Sequence, residues 1–235
     1  MEQLITILKN STLFSDLPEE YIKENILPLG QLLEYQKDQA LILPQQQVDR
    51  FGLVLSGRVH ILHLFADGSN SLMNVVSPGR FVGLDLISTK SRLSPYHAAA
   101  ASPVQVFFLP GHAITHPGIL PENIRLCCLE RALTLIAHEN IKKEYRLAIL
   151  SQKGLRERIA TYLTMQSARL RSNTVQIPFS RDEMASYLCV NRSALSHELS
   201  LMQQDGLISF RKNIFTLYDL GHVQEVTGQQ PEDML

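Results

Sequence analysis

Cysteine is scarce, and the little there is excludes a disulfide-built scaffold. The 235-residue chain has three cysteines, Cys127, Cys128 and Cys189, the first two adjacent. Neighbouring residues seldom bridge each other because of the strain involved, so reduced thiols are expected. Long apolar runs are missing too: no stretch approaches the ~18 uninterrupted apolar residues of a membrane span. The N-terminus has Glu2 early and Lys9-Asn10 inside its apolar turn, which is not a signal-peptide layout, and a cytoplasmic protein is expected. Net charge is also slight, -1 at pH 7, which if uniform would argue against nucleic acid. It is not uniform. Residues 151–213 carry nine Lys/Arg against five Asp/Glu, 214–235 carry four acids and no Lys/Arg, and 1–150 carry thirteen against fourteen. A basic segment is masked by an acidic tail. An apolar fraction of 45% suits a core-forming protein, and the length favours two domains over one.

Near the start, "STLFSDLPEEYIKENI" sets Ser15 and Asp16 as caps ahead of Pro18 and places two glutamates in the following turn, which predicts a short helix. From about residue 31 to 110 the pattern changes to short β-rich runs, "FGLVLSGRVHILHLF", "SLMNVV" and "VQVFFL", divided by Ser56-Gly57, Asp67-Gly68 and Pro78-Gly79. Regular turn signals between such runs predict an antiparallel barrel or sandwich, with Asp67-Gly68 the best hairpin turn. A helix follows over roughly 121–150, free of Gly and Pro after Pro121. Leu126, Leu129, Leu133, Ile136, Asn140, Lys143, Leu147 and Leu150 recur by threes and fours, a heptad seam with a polar interruption. Such a helix suits parallel dimerisation, with Asn140 fixing the register; packing on its own barrel is the alternative. Cys127-Cys128 falls where the helix would face a second copy, and these thiols are read as apolar packing.

After a Ser-Gln-Lys-Gly break, another helix, the strand-like "VQIPF" and the segment "SRDEMASYLCVNRSALSHELSLMQQDGLI" follow. Met184, Ala185 and Leu188 share one side of a first helix, and Leu195, Leu199 and Met202 one side of a second. Both sides face one small core, Val190 plugs the turn, and Ser180 and Asn191 are candidate caps. This pattern is a helix-turn-helix, winged by "LISFRKNIFTLYDL", two short strands around Arg211-Lys212-Asn213. With the apolar side inward, Arg192, Ser193, Ser196, His197 and Ser200 must face outward. Short side chains let such a helix sink into a major groove about 12 Å wide, and Arg192 stands where a guanidinium can meet guanine O6 and N7.

The order of parts resembles the Crp/Fnr superfamily of bacterial transcription regulators over nearly the whole chain, on "LVLSGRVHI", "SPGRFVGLDLI", "YRLAIL" and above all the quoted helix pair. The resemblance implies an α+β protein in three parts. These are an N-terminal double-stranded β-roll of the cyclic-nucleotide-binding jelly-roll type (1–120), a long dimerisation helix (121–150) and a C-terminal winged helix-turn-helix (151–235). It implies a homodimer on a palindromic DNA operator, with RNA polymerase as a further candidate partner, no membrane and no enzymatic activity. By position Arg192 matches the family's base-reading arginine, and Ser180 and Arg181 its phosphate-contacting entry. Asn191, Ser193, Ser196, His197, Ser200, Arg211 and Lys212 complete the expected DNA surface, with Lys153 a further phosphate contact. Ser193 stands where many members carry Glu, His197 where many carry Arg, and Cys189 at the usual glycine of the turn.

The effector is less legible. Cyclic-nucleotide members pair a glycine and glutamate with a later Arg-Ser; here the matching residues are Gly83-Leu84 and Ser94-Pro95. A phosphate would lose its arginine and a ribose its glutamate, which argues against cyclic AMP. Gly83, Leu84, Ser94, Pro95, Asn140 and Ile141 are the candidate effector positions, suited to a small, weakly charged or apolar ligand or simply filled. Iron–sulfur sensing needs N-terminal cysteines, and none precedes Cys127. His60 and His63 fall on opposite faces of a strand, His112 and His116 make too few ligands for a structural metal site, and no cofactor or metal is expected. The rival readings are a metal-dependent cupin-like enzyme and a cyclic-nucleotide-type module that regulates a protein partner.

Overall fold

The structure, a computed structural model, describes residues 2–218, so Asp219, Glu225, Glu232 and Asp233 of the acidic tail lie outside the described residues. Two compact units divide the chain at Asn140 and Ile141, inside its longest helix.

The first unit opens with α1 (Glu2–Asn10) and α2 (Glu19–Tyr21); the latter runs on through a π-helical Ile22–Ile26 and a 3₁₀ turn at Leu27–Leu29. The predicted caps do not cap. Pro18 itself is the residue before the helix, at φ -56° and ψ 148°, with no side-chain hydrogen bond to the first turn, and Ser15 Oγ lies 3.5 Å from Asp16 Oδ1 instead. A residue preceding proline is pushed to extended backbone, so Leu17 cannot be helical and the start moves past the ring.

Eight strands follow: β1 (Gln31–Tyr35), β2 (Ala40–Ile42), β3 (Arg50–Ser56), β4 (Val59–Leu64), β5 (Asn70–Val76), β6 (Phe81–Val82), β7 (His97–Ala100) and β8 (Val104–Pro110). They form two antiparallel sheets, ordered β1-β8-β3-β6 and β2-β7-β4-β5, a double-sheet jelly roll. The three turn signals therefore differ in kind. Asp67-Gly68 closes the β4–β5 hairpin, where Asp67 Oδ1 accepts from Ser69 N and Oγ at 2.9 and 2.6 Å. Ser56-Gly57 and Pro78-Gly79 instead carry the chain from one sheet to the other. At Gly57 the backbone has φ +76° and an added Cβ would lie 2.1 Å from the Pro103 carbonyl oxygen, so glycine is required there.

Strand β3 is buried along nearly its whole length because both of its faces are covered. Val54, with Val106 and Phe108 of β8, faces the layer between the sheets, where it meets Val59, Ala98 and Ala100. Phe51, Leu53 and Leu55, with Phe107 and Leu109, face the opposite way onto Leu8, Leu13, Phe14 and Ile22 of the N-terminal helical segment. The roll ends at α3 (His112–Thr115), and His116 is already extended, at φ -115° and ψ 144°, so the two histidines do not share a helix.

Helix α4 (Glu122–Leu150) begins just after Pro121. Its Cys128 and Ala132 are buried in the helix-side core of the roll. Cys128 does not look toward a second copy: its Sγ lies 3.8 Å from the Leu13 carbonyl and burial pushes its thiol up to about 11. Farther along, Asn74 Nδ2 donates to Glu139 Oε2 at 2.9 Å. The other side of α4 carries Leu126, Leu133 and Leu147, 51%, 68% and 61% exposed. No helix among the described residues is long and apolar enough to cross a membrane.

The second unit takes the last turns of α4, then α5 (Leu155–Leu170), β9 (Thr174–Gln176), α6 (Arg181–Tyr187), α7 (Arg192–Gln204), β10 (Ile208–Arg211) and β11 (Ile214–Leu217). The three strands form one antiparallel sheet, β10-β11-β9, and the register sets Arg211 opposite Ile214. That leaves Lys212 and Asn213 as the wing's two-residue turn.

Candidate nucleic-acid interface

Each helix of the pair is started by a side-chain cap. Ser180 Oγ accepts from the Glu183 amide at 3.3 Å while Glu183 Oε2 accepts from the Ser180 amide at 2.6 Å, a complete capping box for α6. Asn191 Oδ1 accepts from the Ala194 amide at 2.7 Å and starts α7. Between them Cys189 takes a left-handed φ of +57°, so the turn keeps the conformation that glycine favours without a glycine. Val190 is half-buried in that turn.

The inward face of α7 is fully buried: Leu195, Leu199 and Met202 are each 0% exposed, as are Met184 and Leu188 of α6. A 3.6-residue period then dictates the outward face. Arg192, Ser193, His197 and Ser200 are exposed and Ser196 is half-buried. Ser200 Oγ donates back to the Ser196 carbonyl at 2.9 Å, which keeps both side chains close to the helix and the face low.

Arginines hold the pair in place. Arg146, in the last turns of α4, is 5% exposed; its Nε and Nη2 donate to the Tyr187 carbonyl at 3.3 and 3.2 Å and its guanidinium lies 4.8 Å from the Tyr187 ring. Arg158 of α5 donates to the Leu188 carbonyl at 3.4 Å. The carbonyls at the end of α6, which have no partner within the helix, thus receive cations where the helix dipole favours them. Arg156 bridges α5 to α7 through Glu198 and Asp205, both at 2.6 Å. Several of the cations that make residues 151–213 basic therefore serve the fold.

Arg181 behaves similarly. Its guanidinium stacks over Phe210 and Phe215 at 5.0 and 5.5 Å and donates to the Lys212 carbonyl at 3.1 Å, tying α6 to the wing. Burial, and then the charge of Arg192, lower its pKa. Arg211 and Lys212 are exposed at the wing tip, Lys212 with φ +55°. Asn213 turns inward and donates to the Ile177 carbonyl at 2.8 Å. The ten sequence-selected residues thus fall on one helix pair and its wing, with Ser180, Arg181 and Asn191 also engaged in local structure. Asp182 was not selected: it reaches Arg192, its Oδ2 accepting from Nη1 at 3.0 Å.

The candidate effector positions are placed less coherently. Gly83, at φ +78°, and Leu84 are buried, and Leu84 belongs to the helix-side core rather than to the layer between the sheets. Ser94 is 0% exposed; its Oγ donates to the Tyr96 carbonyl at 2.8 Å and accepts from the Tyr96 amide at 3.2 Å. Pro95, Asn140 and Ile141 are exposed. Tyr96, which the sequence reading passed over, links the two buried stretches: its hydroxyl donates to Asp85 Oδ1 at 2.9 Å and burial drives its pKa far up.

Residues 32–116 match the cyclic nucleotide-binding domain family and residues 157–225 the Crp-like helix-turn-helix domain family. The transcriptional activator protein anr of Pseudomonas aeruginosa is 30% identical over 196 residues, 80% of this chain and 78% of that protein. The nitrogen fixation regulation protein FixK of Bradyrhizobium diazoefficiens is 22% identical over 226 residues, 94% of this chain and 92% of its own. Among solved structures, FixK2 from Bradyrhizobium japonicum superposes with a TM-score of 0.64 at 19% identity, over 84% of this chain and 96% of that one. The regulator CLP of Xanthomonas campestris, described as c-di-GMP responsive, gives 0.66 at 18% identity, over 85% and 99%. At those identities the likeness is one of fold.

Proposed function

The chain belongs to the Crp/Fnr family of transcription regulators, and from that premise we propose that it acts as a homodimer, reading an imperfect DNA palindrome under the control of an effector other than cyclic AMP. One observation carries the DNA reading: Leu195, Leu199 and Met202 are fully buried, which turns Arg192, Ser193, His197 and Ser200 outward on a helix with a low, short-chained face. That face fits a major groove, with Arg192 offered to a guanine and Arg211 and Lys212 of the wing to phosphates. Two copies would place their α7 helices in successive major grooves, about 34 Å apart. The exposed Leu126, Leu133 and Leu147 stripe supports pairing through α4, on a face distinct from that of the buried Cys128 and Ala132.

Leu84 and Ser94 support the exclusion of cyclic AMP. The first is packed in a core and the second is spent on the backbone of Tyr96, so neither offers charge to a phosphate or ribose. A small, weakly charged ligand suits these surroundings better, and its binding would shift the population of two dimer packings.

Selection of bound duplexes from a random pool by the full-length protein, followed by affinity measurements with Arg192→Ala, tests the reading. Arg192→Ala should cost about 1–3 kcal/mol on the selected site and relax discrimination at one base pair. Wild-type affinity in that variant would overturn the assignment of α7. Saturable cyclic AMP binding in calorimetry would overturn the effector reading.

A further inference from the structure

Arg192, at the start of α7, is held from another helix. Its Nη1 donates to Asp182 Oδ2 at 3.0 Å, across from the first turn of α6, and the two side chains are 63% and 68% exposed. The pair therefore lies on the outer surface, beside the residues assigned to DNA. The neighbouring acids have other work: Glu183 completes the capping box of α6, and Glu198 and Asp205 both bind Arg156. Asp182 is the carboxylate that this fold sets next to its recognition arginine.

Two physical consequences follow from that placement. A free arginine samples many rotamers, and ordering one on a base costs entropy; a carboxylate fixing Nη1 removes part of that cost in advance and leaves the Nε–Nη2 edge to meet guanine. The second consequence is electrostatic. The first helix of a helix-turn-helix crosses the phosphate backbone, so a carboxylate in its first turn is repelled by every duplex. Pairing with Arg192 offsets that repulsion. Ser193, one residue along, has only a hydroxyl and cannot substitute.

We propose that Asp182 is a positioning residue for base reading: it presents the Arg192 guanidinium to the groove and at the same time weakens binding to DNA that gives Arg192 no guanine. This inference rests on α7 being the recognition helix. Asp182 raises the ratio of specific to non-specific binding from both sides, by sharpening one and opposing the other.

The test uses the full-length protein and fluorescence anisotropy over a salt series. The probes are the selected duplex, the same duplex with its Arg192-dependent base pair replaced, and a random duplex. Asp182→Ala should lose about two- to fivefold in discrimination at that base pair, the span expected of an exposed ion pair. Random-duplex binding should tighten, and the log–log salt slope should steepen by up to about 0.9, one phosphate's share. Asp182→Glu, which keeps the charge, should recover discrimination. In an Arg192→Ala background, Asp182→Ala should leave discrimination where it is and still tighten random binding. A merely structural Asp182 would weaken all three duplexes alike, which would overturn the proposal. So would wild-type discrimination in Asp182→Ala when Arg192→Ala loses it, or a loss that persists without Arg192. If Arg192→Ala itself discriminates like wild type, the reading of α7 fails and the role of Asp182 fails with it.

Discussion

Leu199 and Ser200 are chain neighbours on the buried and exposed faces of α7, and substituting each by alanine measures which side of the helix is inside. Leu199 is 0% exposed and Ser200 is exposed. Leu199→Ala removes three buried carbons from between α6 and α7, a change that costs about 2–5 kcal/mol when the cavity does not collapse. For a unit of this size, roughly 4–8 °C of Tm is lost per kcal/mol, so its melting should fall by about 8–40 °C. Ser200→Ala removes only a hydroxyl bonded to its own helix at the Ser196 carbonyl. Its effect should stay within about 0.5 kcal/mol, as for other surface changes. Hydrogen exchange read peptide by peptide separates the two units: α6 and α7 should lose protection in Leu199→Ala, while the β-roll strands keep theirs. Equal effects of the two substitutions, or a larger one at Ser200, would mean that the outward strip is misassigned, and the DNA reading would go with it.

Three further outcomes are expected. Leu133→Glu, at the most exposed leucine of α4, should leave the chain folded by circular dichroism but monomeric in sedimentation; a dimer of wild-type strength would remove α4 from the interface. Ser180→Ala should destabilise α6 by about 1 kcal/mol through loss of its cap, seen as faster exchange of the Glu183 amide, which Ser180 Oγ now holds. Cys128 should resist thiol reagents at pH 8 in the folded protein while the exposed Cys189 reacts. Because folding raises the Cys128 thiol from 9.0 to about 11, its contribution is constant below pH 9, and stability should fall as pH rises from 9 toward 11, where the unfolded chain ionises first. A flat profile there in chemical denaturation would contradict the burial.

Legibility from sequence followed the range of the interactions. The helix pair was readable because its signals are local: Ser180 with Glu183, Asn191 with Ala194, and apolar residues every three or four. Strands β3, β4, β5 and β8 are long enough to carry a pattern, whereas β2, β6 and β7 have three, two and four residues and take their shape from their neighbours. The N-terminal helix start was misplaced because Ser15 and Asp16 have cap chemistry, yet Pro18 controls the backbone. Cys128 was assigned the wrong outlook because a heptad seam describes one side of a helix, and α4 has a second apolar side buried on its own roll. Asp182 was hidden for the same general reason: its partner lies ten residues away on another helix, and only the turn at Cys189 brings them together. The basic segment was legible as a sum but not in its use, since Arg156, Arg158 and Arg181 hold carboxylates, carbonyls and rings of the protein itself.

Arg146 has a mechanical consequence. It belongs to α4 but is clamped on the end of α6, so residues 141–150 are tied to the helix pair within one compact unit. Were that segment turned, the clamp would carry α7 with it and leave the spacing among Arg192, Ser193 and His197 as it is. Under the proposed DNA reading, such a turn would alter how the face meets a duplex, while the letters it recognises would stay the same.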